Sequence, residues 1–227
     1  MIRYNLDPFS DLDQHVIETG EFEPHIVAVA RRLNPKLIFD VGANVGLLAL
    51  PFAEIATVHA FEPDSECFKK LQANVALNPE LPITCHCVAI QHKCEPIQLS
   101  VRRVGGNSGL SSLMRFNCHV KSRESVMGMS VDSYDMAVDL IKIDVEGAES
   151  LVLQGAAETI AKHKPAIIWE HSVAIDRMTR SRNTRDAFTF LRCRGYRQWI
   201  IQKDATLTPM RRWIPTLNYA DILVEVL

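Results

Sequence analysis

The chain has 227 residues, 47% hydrophobic and 23% charged, with a formal net charge of −2. That balance excludes a disordered or membrane-spanning chain and argues against general nucleic-acid binding; it suits one soluble fold with a full core. The start, Met1-Ile2-Arg3-Tyr4-Asn5-Leu6-Asp7-Pro8, lacks a basic region followed by an apolar stretch, so a cytoplasmic location without a secretion signal is expected.

Helical signals open the chain. Asp11 or Asp13 offers a cap, and Ile26, Val27, Val29, Ala30 and Leu33 recur at helical spacing until Asn34-Pro35 stops them, which predicts a helical lid or side layer. Leu37 to Val41 is short, apolar and β-branched, as in a buried parallel strand. A glycine-bounded turn follows, and Leu47 to Ala53 can begin a helix. A second strand is expected at Thr57 to Phe61, then a helix from Ser65 to about Leu77 with Phe68, Leu71 and Val75 inward, and a third strand near Ile83 to Ile90. From Gln91 to Tyr134 the pattern shortens. Ile97, Leu99 and Val101 alternate with Gln98, Ser100 and Arg102 before a Gly105-Gly106-Asn107 turn, which predicts an inserted hairpin or loop. Strand and helix alternation resumes with Val138 to Ile143, a helix from Gly147 to about Ala161, and a strand at Ala166 to Trp169. A helix from Asn183 or Thr184 to Gly195 and strands at Tyr196 to Gln202 and Ile222 to Val226 complete about seven strands. One α/β domain over 1–227 is expected, with a helical segment at 1–36 and an insertion at 91–134.

Two strand ends carry the chemistry. Asp40-Val41-Gly42-Ala43-Asn44-Val45-Gly46 places an acidic residue before a turn whose glycines let a ligand lie against bare peptide. Glu62 ends the next strand, roughly 20 residues on, at the offset of a carboxylate that accepts ribose hydroxyls. Asn44 and Leu47 stand where a dinucleotide fingerprint needs glycine, and Asp40 would repel a pyrophosphate but pair with an ammonium. S-adenosylmethionine has an ammonium and no phosphate. Asp144, with Glu146 and Glu149, ends the fourth main strand, and Trp169-Glu170-His171 ends the fifth, so these carboxylates and an imidazole are expected at the same crevice.

Cys85, His86, Cys87, His92 and Cys94 do not form a zinc pattern, because Cys-x-Cys in an apolar run reads as small hydrophobes, and no metal is assigned. A divalent cation on the strand-end carboxylates stays open as an alternative. From His171 to Leu227 there are ten Lys/Arg against five Asp/Glu, among them Arg177, Arg180, Arg182 and Arg185; this is a solvated helix face or an electropositive rim for an anionic acceptor.

Phe39-Asp40-Val41-Gly42-Ala43-Asn44-Val45-Gly46, Ala60-Phe61-Glu62-Pro63, Asn74, Val131-Asp132 and Ile141-Lys142-Ile143-Asp144-Val145-Glu146-Gly147-Ala148-Glu149 together resemble the FkbM family of S-adenosylmethionine-dependent methyltransferases. Leu153-Gln154-Gly155-Ala156 and Pro165 with Glu170 are similar as well. The resemblance implies a class I methyltransferase fold, a Rossmann-like three-layer sandwich whose seven-stranded, mostly parallel sheet ends in an antiparallel strand, with a small β insertion between the third and fourth main strands. It also implies O-methylation of a sugar or other small-molecule hydroxyl. The cofactor residues expected on this basis are Asp40, Gly42, Ala43, Asn44, Gly46, Glu62, Pro63, Ala89 and Asp144. The third strand, ending Val88-Ala89-Ile90-Gln91, departs from the acidic adenine contact of many class I enzymes, and the region after His171 matches no family pattern.

Methyl transfer is an in-line displacement governed by alignment, and an alcohol acceptor must lose a proton to a nearby base. Candidates, in order, are Asp144, Glu170, His171 and Glu146. Three rivals stand beside this reading: a nicotinamide oxidoreductase, disfavoured by Asn44; an RNA methyltransferase using the basic C-terminal third; and a methyltransferase-like domain that binds without catalysis.

Overall fold

The computed structural model describes residues 2–101 and 122–226; the expected Gly105-Gly106-Asn107 turn and Arg102 lie outside them. Helices α1 (Asp11–Thr19) and α2 (Pro24–Leu33) open the fold. The cap of α1 is neither expected aspartate but Ser10, whose hydroxyl accepts from the Asp13 N–H, while Asp13 itself accepts from the Asp7 N–H at 2.7 Å. Ile26, Val29 and Ala30 of α2 are buried, and Asn34 ends the helix in the left-handed conformation.

Strand β1 (Leu37–Val41) is followed by the short α3 (Ala49–Ala53), β2 (Thr57–Phe61), α4 (Ser65–Ala76) and β3 (Ile83–His86). The expected third strand is broken. Its second half forms β4 (Ala89–Ile90), which leaves the main sheet and pairs with β6 (Ser122–Met129) beside β5 (Pro96–Val101). β5 runs antiparallel to β6, and the expected alternation fails at its end, where Ser100 is buried together with Leu99 and Val101. β7 (Leu140–Ile143) comes next, and the single helix expected after it is two, α5 (Glu149–Gln154) and α6 (Ala157–His163). Gly155 sits at the break because a Cβ there would stand 2.0 Å from the Gln91 carbonyl oxygen. Asp132 caps α6 from outside, accepting from the Glu158 and Thr159 N–H groups.

β8 (Ala166–His171) runs two residues past the expected Trp169 and leads into an unanticipated helix, α7 (Val173–Thr179). α8 (Asn183–Arg192), β9 (Arg197–Ile201), β10 (Leu207–Pro209) and β11 (Ala220–Glu225) follow. The main sheet has the order β10-β9-β11-β8-β7-β1-β2-β3, one strand more than expected because β10 adds an antiparallel edge to β9. β11 is antiparallel to both β8 and β9.

Alternation along the strands assigns every central side chain to one of two faces. Phe39, Val41, Ile141, Ile143, Ile167 and Trp169 pack with residues of α5, α6 and α8. Ile38, Leu140, Ile168 and Leu223 pack with residues of α2 and α3. Asp40, Lys142, Glu170 and Asp221 occupy positions on the second face, and strand order reverses where β1 meets β7, so the carboxyl ends of β1, β7 and β8 open onto one crevice.

Candidate active site

The turn after β1 is held from two sides. Gly42 and Ala43 donate to the Phe61 carbonyl at 3.0 Å each, and Asp144 N–H donates to the Val41 carbonyl at 2.9 Å. Gly42 has φ +87°, and a Cβ on it would lie 1.7 Å from the Asp144 carbonyl oxygen, so its lack of a side chain lets β7 close against β1. Asn44 has φ 51° and Gly46 φ 92°.

Glu62 is buried, and its two oxygens accept from the Asn44 and Asp64 N–H groups at 2.8 Å each. Burial outweighs those bonds and pushes its carboxyl up to about 7. Removing this clasp in Glu62→Ala leaves two N–H groups without their acceptor; denaturant titration is expected to show a loss of about 1–3 kcal/mol, and unchanged stability would refute the clasp.

A cavity of about 270 Å³ opens above β1, β7 and β8, lined among others by Asp40, Gly42, Ala43, Asn44, Lys142, Asp144, Glu146 and Glu170. Phe22, Glu23 and Tyr219 close its far side. Asp40 is fully buried, and neither of its carboxylate oxygens has a hydrogen-bond partner among the described residues. Burial, with Asp144 nearby, pushes its carboxyl up to about 6 against the pull of Lys142.

Lys142 carries the cavity's one cation among the described residues. Its ammonium donates to Asp144 at 3.0 Å, and although burial opposes its charge, Asp144, Asp40 and Glu23 outweigh burial and raise its pKa. Burial also works against the charge of Asp144, but Lys142 and a hydrogen bond with Glu170 hold that carboxyl below its ordinary value. Glu170 is pushed well above its ordinary value by burial, then by Asp144, Glu146 and Glu149. Asp144 and Glu170 therefore behave as one pair sharing a proton. Burial also raises Glu23 to about 7, and the Tyr219 hydroxyl donates to it at 3.3 Å.

Asp144, Glu146 and Glu170 each bring one oxygen within 4.8 Å of the others, so carboxylates on separate strand ends do converge and could offer oxygens to a cation; Lys142 already occupies one side of Asp144. Glu149 is structural. It accepts from Val145 and Gly147 N–H and from the Asn183 amide, which fixes the loop in which Glu146 takes φ 55°.

Five expected site residues stand apart from the cavity's lining; two of them, Gly46 and Glu62, belong to the turn after β1 and to the clasp that holds it. His171, expected beside Glu170, is fully buried on the opposite face, because one step along a strand reverses the side chain; it packs 5.6 Å from Trp169, and burial lowers its pKa. Ala89 is buried and paired with Gly128 in the side sheet, a consequence of the broken third strand. Pro63 follows Glu62 outside the lining. Lys142, Glu23, Phe22 and Tyr219 were given no role by the sequence reading. A lysine inside Leu140-Ile141-Lys142-Ile143 was a readable signal, since a buried strand takes a charge only when it is paired.

A family model for the methyltransferase FkbM domain matches residues 40–198, from Asp40 to the second residue of β9. The chain belongs to the FkbM methyltransferase family. This FkbM chain is 26% identical over 185 residues to "Methyltransferase sdnD" of Sordaria araneosa, an overlap of 66% of this chain and 71% of that protein. A solved methyltransferase FkbM from Methylobacillus flagellatus KT superposes with a TM-score of 0.52 at 18% identity, over 85% of this chain but only 44% of that one. Magnesium protoporphyrin IX methyltransferase from Synechocystis PCC 6803, solved with bound SAM, gives a TM-score of 0.52 at 14% identity, covering 95% of this chain and 81% of that one. Those likenesses and the strand order give the FkbM chain the class I methyltransferase fold. No helix among its described residues is long and apolar enough to cross a membrane.

Proposed function

We propose that this FkbM methyltransferase uses S-adenosylmethionine to O-methylate a hydroxyl of a sugar or other small molecule. The observation that carries the reading is Asp40: on a residue that lines the cavity, a buried carboxylate with neither oxygen hydrogen-bonded among the described residues is costly unless a cationic ligand pairs with it. Asp40, Asp144, Glu146, Glu170 and Glu23 set five carboxyl groups against Lys142, and those that ionise favour a sulfonium-bearing and ammonium-bearing cofactor and repel a pyrophosphate, although Glu170 and Glu23 hold their protons longer than free carboxyls. That disfavours the nicotinamide rival on electrostatic grounds beyond Asn44.

When bound, S-adenosylmethionine supplies an electrophilic methyl group. The chain's residues would do the rest. Asp40 holds the ammonium, the Gly42 to Gly46 turn walls the cofactor, Glu62 reaches the ribose with the second lone pair on each oxygen, and Asp144 with Glu170 takes the hydroxyl proton of the acceptor.

The test is calorimetry with S-adenosylmethionine and NAD(H) in parallel. The carboxylate of Asp40 is ionised only above about pH 6, and only that form pairs with an ammonium, so affinity for S-adenosylmethionine is expected to rise as pH climbs through 6, with proton release on binding. Asp40→Asn should weaken binding by about 1.5–3 kcal/mol and flatten that dependence. Binding of NAD(H) alone, or an unaltered pH profile in the variant, would overturn the reading.

A further inference from the structure

Beyond the acidic cavity, the carboxyl edge of the sheet carries a second concavity of opposite charge. It is an open groove of about 430 Å³ lined by Val173, Asp176, Arg177, Arg180, Ser181, Arg182, Arg185 and Trp213. All four arginines are exposed, and none forms an ion pair with a described residue. The single carboxylate in the groove does not neutralise them. Asp176 is buried and its oxygens are taken up by the Ser181 hydroxyl at 2.9 Å, the Thr184 hydroxyl at 2.6 Å and the Thr184 N–H.

Those bonds make the groove rigid. They fold the segment from α7 to α8 around Asp176, with Arg180 in the left-handed conformation at φ 54° and Ser181 N–H donating to the Asp176 carbonyl at 3.0 Å. Trp213 is tied in through its indole N–H, which donates to the Thr184 hydroxyl at 3.2 Å, and the Arg185 guanidinium stands 5.9 Å from its ring centre. Asn183, next to Arg182, locks the segment to the active-site loop: its carbonyl accepts from Ser150 N–H at 2.7 Å and its amide bonds Glu149. Arginines on a preorganised frame lose little freedom when their planar forks grip a phosphoryl group.

Placement links the groove to the cavity. Glu170 lines the cavity and Val173 lines the groove, and three residues of chain span at most about 11 Å. An acidic cavity excludes an anion, so an acceptor bearing one must hold it outside while its hydroxyl reaches Asp144. We propose that the Arg177, Arg180, Arg182 and Arg185 groove binds a phosphoryl group of the acceptor, making the substrate class a phosphorylated small molecule such as a sugar phosphate or a nucleotide-linked sugar. The proposal rests on the methyl-transfer reading for its hydroxyl end and on the groove alone for its anionic end.

The experiment is calorimetry of the full chain with inorganic pyrophosphate, ribose 5-phosphate, ribose and a single-stranded oligoribonucleotide, repeated on the double variant Arg177→Gln with Arg182→Gln. Both side chains are exposed and carry no described partner, so the variant is expected to keep the wild-type melting temperature. Pyrophosphate and ribose 5-phosphate should bind in a salt-dependent manner, at least tenfold more weakly to the variant, while ribose should not respond to the change. S-adenosylhomocysteine affinity, measured on the same samples, should be equal in both proteins. Equal phosphate affinity in the two proteins, or none in the wild type, overturns the groove. Oligoribonucleotide binding that the variant loses, without ribose 5-phosphate binding, overturns the small-molecule acceptor in favour of RNA. Phosphate binding that behaves as expected in a chain that binds no S-adenosylhomocysteine supports the groove and overturns the methyl-transfer reading instead.

Discussion

Gly42→Ala is expected to cost roughly 2 to 5 kcal/mol of stability in urea denaturation, more than Gly46→Ala or Gly195→Ala. Two penalties combine. The position has φ +87°, where an L side chain costs about 1–2 kcal/mol, and the added methyl would meet the Asp144 carbonyl oxygen at 1.7 Å, forcing the backbone of β1 away from β7 at a further cost of about 1–3 kcal/mol. Two comparisons separate the penalties. Gly46, at φ +92°, would place its Cβ 2.8 Å from the end of the flexible Leu71 side chain, which can turn aside, so about 2 kcal/mol is expected. Gly195, at φ +82°, has nothing within 4 Å of its Cβ, so only the strain of about 1–2 kcal/mol remains. If Gly42→Ala were no worse than Gly195→Ala, the close approach of the two strands would not hold the site together. Because the obstructing atom belongs to Asp144 itself, the same change should also displace the carboxylate pair, and turnover should fall even where the fold survives.

That close approach explains part of what the sequence made legible. Glycines and carboxylates at strand ends are readable because they break an apolar run, and Asp40, Gly42, Asn44, Asp144 and Glu170 line one cavity. The reading of Gly42 was incomplete, however: the residue makes room for another strand as well as for a ligand. His171 shows how an error of two residues in a strand's end becomes an error of face, since the period of two sends it into the core while Glu170 faces the cavity. Gly155 ended a helix by letting the Gln91 backbone pass, a tertiary contact without local trace. The far wall of the cavity comes from Phe22 and Glu23, before α2, and Tyr219, before β11; loops 196 residues apart in the chain meet there through the Tyr219 to Glu23 hydrogen bond, and no periodicity announces that.

The largest effect on turnover is expected from Asp144→Asn. The amide keeps the shape of the carboxylate and can still accept from Lys142, but it cannot take a proton, so the acceptor hydroxyl would have to attack while still protonated. Loss of a positioned base lowers kcat by roughly 10²- to 10⁴-fold, whereas affinity for S-adenosylmethionine, set chiefly by Asp40, should change little. The pH profile gives a sharper signature. Lys142 and Glu170 hold the Asp144 carboxyl below its ordinary range, while burial and Asp144 push the Glu170 carboxyl well up, so Asp144 loses its proton first and Glu170 keeps its own to higher pH than a free carboxyl does. Activity should be level between the two proton losses and rise again where Glu170 gives up its proton, because the doubly ionised pair is the stronger base. Glu170→Gln should abolish only the alkaline rise, and Asp144→Asn should depress the whole profile. Release of S-adenosylhomocysteine from a hydroxylated acceptor is the measurement, and an Asp144→Asn enzyme with wild-type kcat at every pH would leave alignment alone to account for catalysis.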